Sequence, residues 1–351
     1  MDRKIKVLIV DDSELIRALL AEILAADPAI DVVATAEDAF DARDKIKQFN
    51  PDVITLDIEM PRMDGITFLS NIMRLRPMPV IMISSLTQKG ADATLQALSH
   101  GAFDFVPKPQ TDDADLAQLG SEIIAKIKSA TRANPNNLTR HCDPSSPIKL
   151  VEPCRSKTLD EGIKLIAIGA STGGTEATRL VLSSLPSKMP PIVIVQHMPA
   201  GFTRSYADRL DKVLPFTVLE LPENGAALQH DHVYIAHGDA HMVIHRESGR
   251  HHARRDYGAA VNRHRPSVDV LFDSVASCCG AGAIGVLLTG MGIDGAKGLG
   301  KMRAKDAMTI AQDEKSSIVW GMPREAVQQD AARQVLPLED IGAFLVERCY
   351  H

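Results

Sequence analysis

The chain has 351 residues, 45% hydrophobic and 24% charged, with a formal net charge of −6 and only 4% aromatic residues. That length suits two domains of ordinary size, and the composition excludes a wholly disordered chain. The acidic balance argues against nucleic-acid binding by bulk electrostatics, and the few aromatics argue against a base-stacking platform. No apolar run reaches the ~20 residues that a bilayer-spanning helix needs. Residues 1–6 lead into an apolar stretch too short for a signal peptide. A soluble, cytoplasmic protein without membrane insertion is therefore expected. The five cysteines (Cys142, Cys154, Cys278, Cys279, Cys349) are odd in number and form no CxxC pair. They suggest neither a disulfide framework nor a cysteine zinc site.

In chain order, strand-like runs at 7–10, 30–34, 53–56, 80–83 and 103–106 alternate with amphipathic stretches, such as Leu15, Leu19 and Ile23 on one face. Five such β–α units predict a parallel sheet covered on both sides over residues 1–128. Residues 129–160 change texture, with Asn134-Pro135-Asn136-Asn137 and Pro144-Ser145-Ser146-Pro147, and read as an interdomain linker. Residues 161–351 resume an α/β rhythm. Strands are expected at 164–169, 192–196, 233–236, 242–245 and 284–288, and helices at 175–185, 203–210, 268–278 and 295–304. Charge separates the two parts. Residues 1–129 hold 14 basic and 21 acidic residues; residues 161–351 hold 20 and 21.

In the first part, Asp11 and Asp12 follow strand one, Asp57 ends strand three, Ser84 ends strand four and Lys108 follows strand five. A parallel sheet brings such positions to one rim. Clustered carboxylates there repel unless a hard cation such as Mg²⁺ sits among them, and a nearby lysine and small hydroxyl can steady a phosphoryl group on one carboxylate. Asp-Asp-Ser before a helix is also ordinary N-capping chemistry. The register across four strands is what makes the set specific. With these residues in hand, residues 5–125 resemble a response-regulator receiver domain, a flavodoxin-like (βα)5 fold. The resemblance implies Asp57 as phospho-acceptor. It implies Mg²⁺ held by Asp12, Asp57 and the backbone carbonyl of Glu59, with Asp11 close by. Ser84 would be the switch hydroxyl and Lys108 the phosphate-sensing lysine. Phe105 falls where the family carries a rotameric aromatic, often Tyr, and has no phenol hydroxyl to hydrogen-bond. A cis Lys108–Pro109 peptide is also expected.

In the second part, Gly169-Ala170-Ser171-Thr172-Gly173-Gly174 satisfies G-x-S-x-G between a strand and a helix, a setting that exposes a serine oxygen over a helix N-terminus. A serine nucleophile needs a base and the base an orienting acid. His197 ends the next apolar strand, and Asp294 follows another. The order Ser, His, Asp differs from that of an ordinary α/β-hydrolase. Two rival patterns share this region. Gly290, Gly292 and Gly295 match the G-x-G-x-x-G dinucleotide fingerprint, with Asp313-Glu314 about twenty residues on. Eight of the twelve histidines lie between His230 and His264, with His237, His241 and His245 four apart. A helix would make those three one metal-binding face, but the flanking apolar runs read instead as a polar hairpin around His-Gly-Asp. A receiver driving a DNA-binding domain is the other class to consider, and here there is neither a helix-turn-helix signature nor a basic excess.

Residues 163–345 resemble the catalytic domain of the chemotaxis-specific protein-glutamate methylesterases, on the stretches 169–174, 196–199, 265–272, 289–296 and 311–326. The resemblance implies a doubly wound, mostly parallel α/β esterase domain behind the receiver. It implies hydrolysis of glutamyl methyl esters on chemotaxis receptors by Ser171, His197 and Asp294, with the Met291 N–H in the oxyanion hole and no cofactor for the ester step. Deamidation of receptor glutamine, phosphate from a chemotaxis histidine kinase, steric control by the receiver and a monomeric state are implied as well.

Overall fold

The computed structural model describes residues 3–85, 87–108, 113–133, 137 and 158–350. They belong to two compact units, Met1–Pro144 and Ser145–His351. In the first, strands β1 (Ile5–Val10), β2 (Ile30–Ala36), β3 (Val53–Asp57), β4 (Val80–Ser84) and β5 (Asp104–Pro107) alternate with helices α1 (Glu14–Ala25), α2 (Ala39–Phe49), α3 (Gly65–Leu75), α4 (Gln88–Ser99) and α5 (Asp113–Ala130). The sheet order is β2-β1-β3-β4-β5 and every pair is parallel. Val-Ile-Thr-Leu-Asp in β3 and Val-Ile-Met-Ile-Ser in β4 are buried throughout, as unbroken apolar strands must be when helices cover both faces. Ser13, Asp38, Asp64 and Thr87 accept hydrogen bonds from the first N–H groups of α1 to α4. Each such cap is worth about 1 kcal/mol and marks where the helix starts. This is the flavodoxin-like receiver fold. Helix α5 runs two residues past the expected boundary at 128, and most of the linker, with Pro109, Cys142 and Cys154, lies outside the described residues.

The second unit contains β6 (Leu165–Ala170), β7 (Ile192–Gln196), β8 (Thr217–Glu220), β9 (Ala226–Ala227), β10 (His232–Ile235), β11 (His241–Glu247), β12 (Arg250–Asp256), β13 (Ala283–Leu287), β14 (Met308–Gln312) and β15 (Gln334–Leu336). Its helices are α6 (Gly174–Ser183), α7 (Phe202–Asp211), α8 (Val268–Cys279), α9 (Ala296–Ala304), α10 (Met322–Gln328) and α11 (Leu338–Cys349). A seven-stranded parallel sheet has the order β15-β14-β13-β6-β7-β10-β8. The winding reverses at β6, so the carboxyl ends of β13, β6 and β7 surround the topological switch point, where open α/β sheets place their sites.

One expectation is corrected. The segments at 233–236 and 242–245 do not form a hairpin with each other. The first is β10, inside the parallel sheet, and the second is β11, which pairs antiparallel with β12 in a separate sheet, β11-β12-β9. Strand β12 carries Arg-His-His-Ala-Arg-Arg-Asp with only Ala253 buried, so no apolar period announces it.

Helix α8 packs across α9 with Leu271, Phe272 and Val275 against Leu299 and Met302, all fully buried. Burying a side chain such as Phe272 contributes about 1.5–3 kcal/mol. At this crossing a Cβ on Gly298 would lie 2.7 Å from Phe272 Cβ and 3.0 Å from the Asp269 carbonyl oxygen. Gly298→Ala is therefore expected to destabilise the protein by about 1–3 kcal/mol, the usual cost of overpacking, and to lower the midpoint of urea unfolding.

Candidate active site

The first unit gathers its acids at the rim where β1 and β3 end. Asp11 and Asp57 are buried and Asp12 is exposed, and one carboxylate oxygen from each lies within 4.8 Å of the others. Lys108 Nζ stands 2.8 Å from Asp57 Oδ2 and 3.5 Å from Asp11 Oδ2. Ile58 N–H donates to Asp57 Oδ1 at 2.8 Å, and Glu59 follows in the same turn. Burial raises the Asp57 pKa to about 6; the Lys108 hydrogen bond opposes this, and the Asp11 charge adds to it. Burial likewise raises Asp11. One lysine thus meets two buried carboxyl groups, with the exposed Asp12 carboxylate beside them. This donor set fits Mg²⁺, which takes one or two carboxylates and completes its shell with water or phosphate oxygens.

Ser84 and Phe105 line the neighbouring strands. The Ser84 hydroxyl turns toward α4, accepting from Thr94 Oγ1 at 2.7 Å and donating to the Gly90 carbonyl at 3.2 Å. The Phe105 ring is buried, with Lys126 Nζ 5.3 Å from its centroid.

In the second unit Ser171 follows β6 and precedes α6. Its N–H donates to the Thr289 carbonyl at 3.1 Å, and its carbonyl accepts from Gly174 N–H at 2.7 Å and Gln196 Nε2 at 2.9 Å. The turn's left-handed residue is Gly173, with φ at +75°, so the serine itself needs no positive φ. His197 N–H donates to the Ala170 carbonyl at 3.1 Å, which sets His197 and Ser171 side by side at the ends of β7 and β6. The imidazole Nε2 is 2.9 Å from Asp294 Oδ2, while the buried Nδ1 has no hydrogen-bond partner among the described residues. No Ser171–His197 hydrogen bond is formed among the described residues. Such bonds are commonly long in ligand-free enzymes and tighten around substrate. Met291 stands next to Gly290, which is pinned by Gly290 N–H to the Val319 carbonyl at 3.0 Å.

Asp294 is 1% exposed and accepts from several segments at once. Asn262 Nδ2 reaches Oδ1 at 2.7 Å and Ser267 Oγ at 2.8 Å; Val268 N–H reaches Oδ2 at 2.6 Å. The carboxylate is thereby the N-terminal cap of α8, a helix other than the one it precedes in sequence. The Ser267 side chain caps nothing, because its hydroxyl is committed to Asp294. Burial works to raise the Asp294 pKa, but the His197 bond and charge, with Asn262 and Ser267, outweigh it and hold the carboxyl well below the usual range. His264 stacks on His197 with ring centroids 3.7 Å apart and planes 10° from parallel. The Ser267 N–H in turn donates to His241 Nδ1 at 3.1 Å, and His241 Nε2 lies 3.0 Å from the Ala259 carbonyl.

The rival patterns find other uses. A Cβ on Gly290 would strike Ser171 and Met322, and one on Gly295 would strike Val268 and Leu287, so these glycines let the loop close around the site. His237, His241 and His245 do not converge as a metal-ligating group among the described residues. Asn262, His264 and Ser267 were not singled out as site residues from the sequence. The only signal was the stretch 265–272, and nothing in its spacing ties it to Asp294.

Two parallel sheets, one with acids and a lysine at its switch point, the other with a serine and a carboxylate-bound imidazole, define a receiver unit joined to an α/β hydrolase unit. Comparison with known proteins agrees. The family model for CheB methylesterase matches residues 166–345 and that for the response regulator receiver domain matches residues 7–119. The protein-glutamate methylesterase/protein-glutamine glutaminase 1 of Xanthomonas campestris pv. campestris is 49% identical over 99% of this chain and 98% of its own length. A relative of the same name, numbered 2, from Saccharophagus degradans is 51% identical over 98% and 99%. The crystal structure of the Thermotoga maritima CheB methylesterase catalytic domain covers 53% of this chain and 98% of its own, at 38% identity and a TM-score of 0.52. The chain belongs to the CheB methylesterase family.

Both acids yield pH predictions of opposite sign. With Asp57 raised from 3.8 to about 6, the folded chain binds more protons than the unfolded one between those values, so stability falls as pH rises through them. Asp57→Asn should raise the unfolding temperature of the receiver unit at pH 7, by on the order of 1–2 kcal/mol in stability. The gain should vanish near pH 4, as calorimetry at the two pH values will read. Asp294, depressed when folded, contributes stability that is complete above the usual carboxylate range and is lost as pH falls below it. Asp294→Asn should cost stability at neutral pH, and the difference from wild type in urea titrations should narrow in acid.

Proposed function

We infer that this protein-glutamate methylesterase uses Ser171 as nucleophile, His197 as base and Asp294 as the orienting acid. The observation that carries the reading is the His197–Asp294 bond at 2.9 Å, with the second imidazole nitrogen left unpaired beside the strand end that bears Ser171. The Ser171 oxygen attacks the γ-glutamyl ester carbonyl while His197 takes the hydroxyl proton through that nitrogen. The tetrahedral oxyanion rests on backbone N–H groups including that of Met291, in a site where such preorganised donors lower the barrier most. Collapse breaks the bond to the methoxy oxygen, which leaves as methanol with the proton from His197. Water, activated by the same imidazole, then hydrolyses the acyl-enzyme to free glutamate. Deamidation of glutamine follows the same path with ammonia leaving. Asp294 stabilises the imidazolium in both halves and holds the ring in one tautomer.

The substrate is a methyl-accepting chemotaxis receptor, and the enzyme works as a monomer in the cytoplasm. Asp57 takes a phosphoryl group from a chemotaxis histidine kinase. Asp11, Asp12, Asp57 and the Glu59 carbonyl would hold Mg²⁺, which would supply charge neutralisation for that transfer. Phosphorylated Asp57 draws Lys108 and the Ser84 hydroxyl toward the added oxygens, and the receiver's restraint on the esterase is relieved. The linker spans 129–160 between receiver 1–128 and esterase 161–351.

Methanol release from methylated receptor tests these roles. Ser171→Ala should abolish release without unfolding the protein, and loss of His197 should be about as damaging, because triad members act as a unit. Acetyl phosphate should stimulate the wild type and leave Asp57→Asn unchanged. A fragment starting near Leu159 should exceed the unphosphorylated full chain. Full activity in Ser171→Ala would remove the serine mechanism.

A further inference from the structure

Away from both sites, the last turn of α8 sets two adjacent thiols, Cys278 and Cys279, against β12, where His251 meets them. The two sulfurs and one imidazole nitrogen lie within 4.8 Å of one another. Both thiols are free, and all three residues are half-buried at the margin of the apolar core, so an ion has a path in from solvent. Neither the ester chemistry nor the receiver uses them.

Two features fit a thiophilic cation. Two sulfurs and an imidazole are the donors that Zn²⁺ prefers. In a tetrahedron with Zn–S bonds of about 2.3 Å, neighbouring donors stand roughly 3.5–4 Å apart, within reach of small rotamer changes here. Arg246 sits opposite His251 in the β11–β12 ladder. Burial pushes the Cys279 thiol up to about 12, so without a metal it is an inert S–H.

We propose that Cys278, Cys279 and His251 form a Zn²⁺ site whose fourth position is open to water. Binding replaces two S–H bonds with two S–Zn bonds and releases two protons to solvent, and no electron is transferred. The ion fastens the carboxyl end of α8 to β12. The amino end of the same helix supplies the N–H that caps Asp294.

The full-length chain, reduced and stripped by a chelator, is titrated with Zn²⁺ against a chromophoric competitor and separately with Co²⁺. The expected result is a near-ultraviolet thiolate-to-cobalt charge-transfer band and an unfolding temperature that rises with Zn²⁺. The receiver carboxylates can bind Co²⁺ but give no thiolate band. Cys278→Ser, Cys279→Ser and His251→Gln should each weaken Zn²⁺ binding by roughly a hundredfold or more, since a lost ligand costs at least as much as a lost outer partner. Metal-free methanol release should be unchanged. A wild type without the band, or variants with undiminished band and affinity, overturns the proposal. If a variant unfolds, alkylation of the wild type decides: slower labelling of Cys278 and Cys279 in Zn²⁺ supports the site, and unchanged labelling overturns it.

Discussion

The second unit is organised around one buried negative charge. Removing a carboxylate from water costs several kcal/mol unless hydrogen bonds and countercharge replace its hydration. Asp294 receives that replacement from the loop at Asn262, the hydroxyl of Ser267, the first N–H of α8 and the ring of His197. The positive end of the α8 dipole adds to them. These donors come from separate segments, so meeting the needs of the charge also fixes where those segments lie. The stacked His264 and the His241–Ser267 contact extend the same scaffold outward. The imidazole is thus held on one edge and one face, with its remaining nitrogen unpaired among the described residues.

The first unit uses a parallel sheet with opposite electrostatics. At its switch point the two buried carboxyl groups, Asp11 and Asp57, share Lys108, and burial is not fully answered, so both are pushed up rather than down. Such a site gains from added positive charge and is poised to accept a group that brings its own cation. Asp294 is an over-satisfied acid that stays ionised; Asp57 is an under-satisfied acid that holds its proton to higher pH. The difference lies in the number of donors around each.

Much of this was legible in the chain. Parallel strands carry unbroken apolar runs, and the chemistry-bearing residues stand immediately after them, so strand ends at Asp57, Ser84, Ser171 and His197 could be read directly. Strand β12 was not legible, because it is edge-like and cationic with one buried alanine. The braces on Asp294 were hidden for a different reason. Asn262 and Ser267 act across some thirty residues, through a cap on a helix that Asp294 does not precede, and local spacing carries no record of such contacts. The thiol pair beside His251 escaped in the same way: adjacent cysteines fit no common ligand spacing, and their third partner comes from a distant strand.

The reversal of winding at β6 also bears on how activity arises during folding. The hydroxyl, the imidazole and the acid follow β6, β7 and β13, and β13 pairs with β6 although more than a hundred residues separate them. Contacts of such long range close late, because the intervening loop entropy must first be overcome. A nascent or partly assembled chain can complete the β6–β7 edge early, yet the His197 ring has no carboxylate partner until the opposite half of the sheet has docked. The arrangement of these three side chains is therefore complete only when the whole sheet of the second unit has formed.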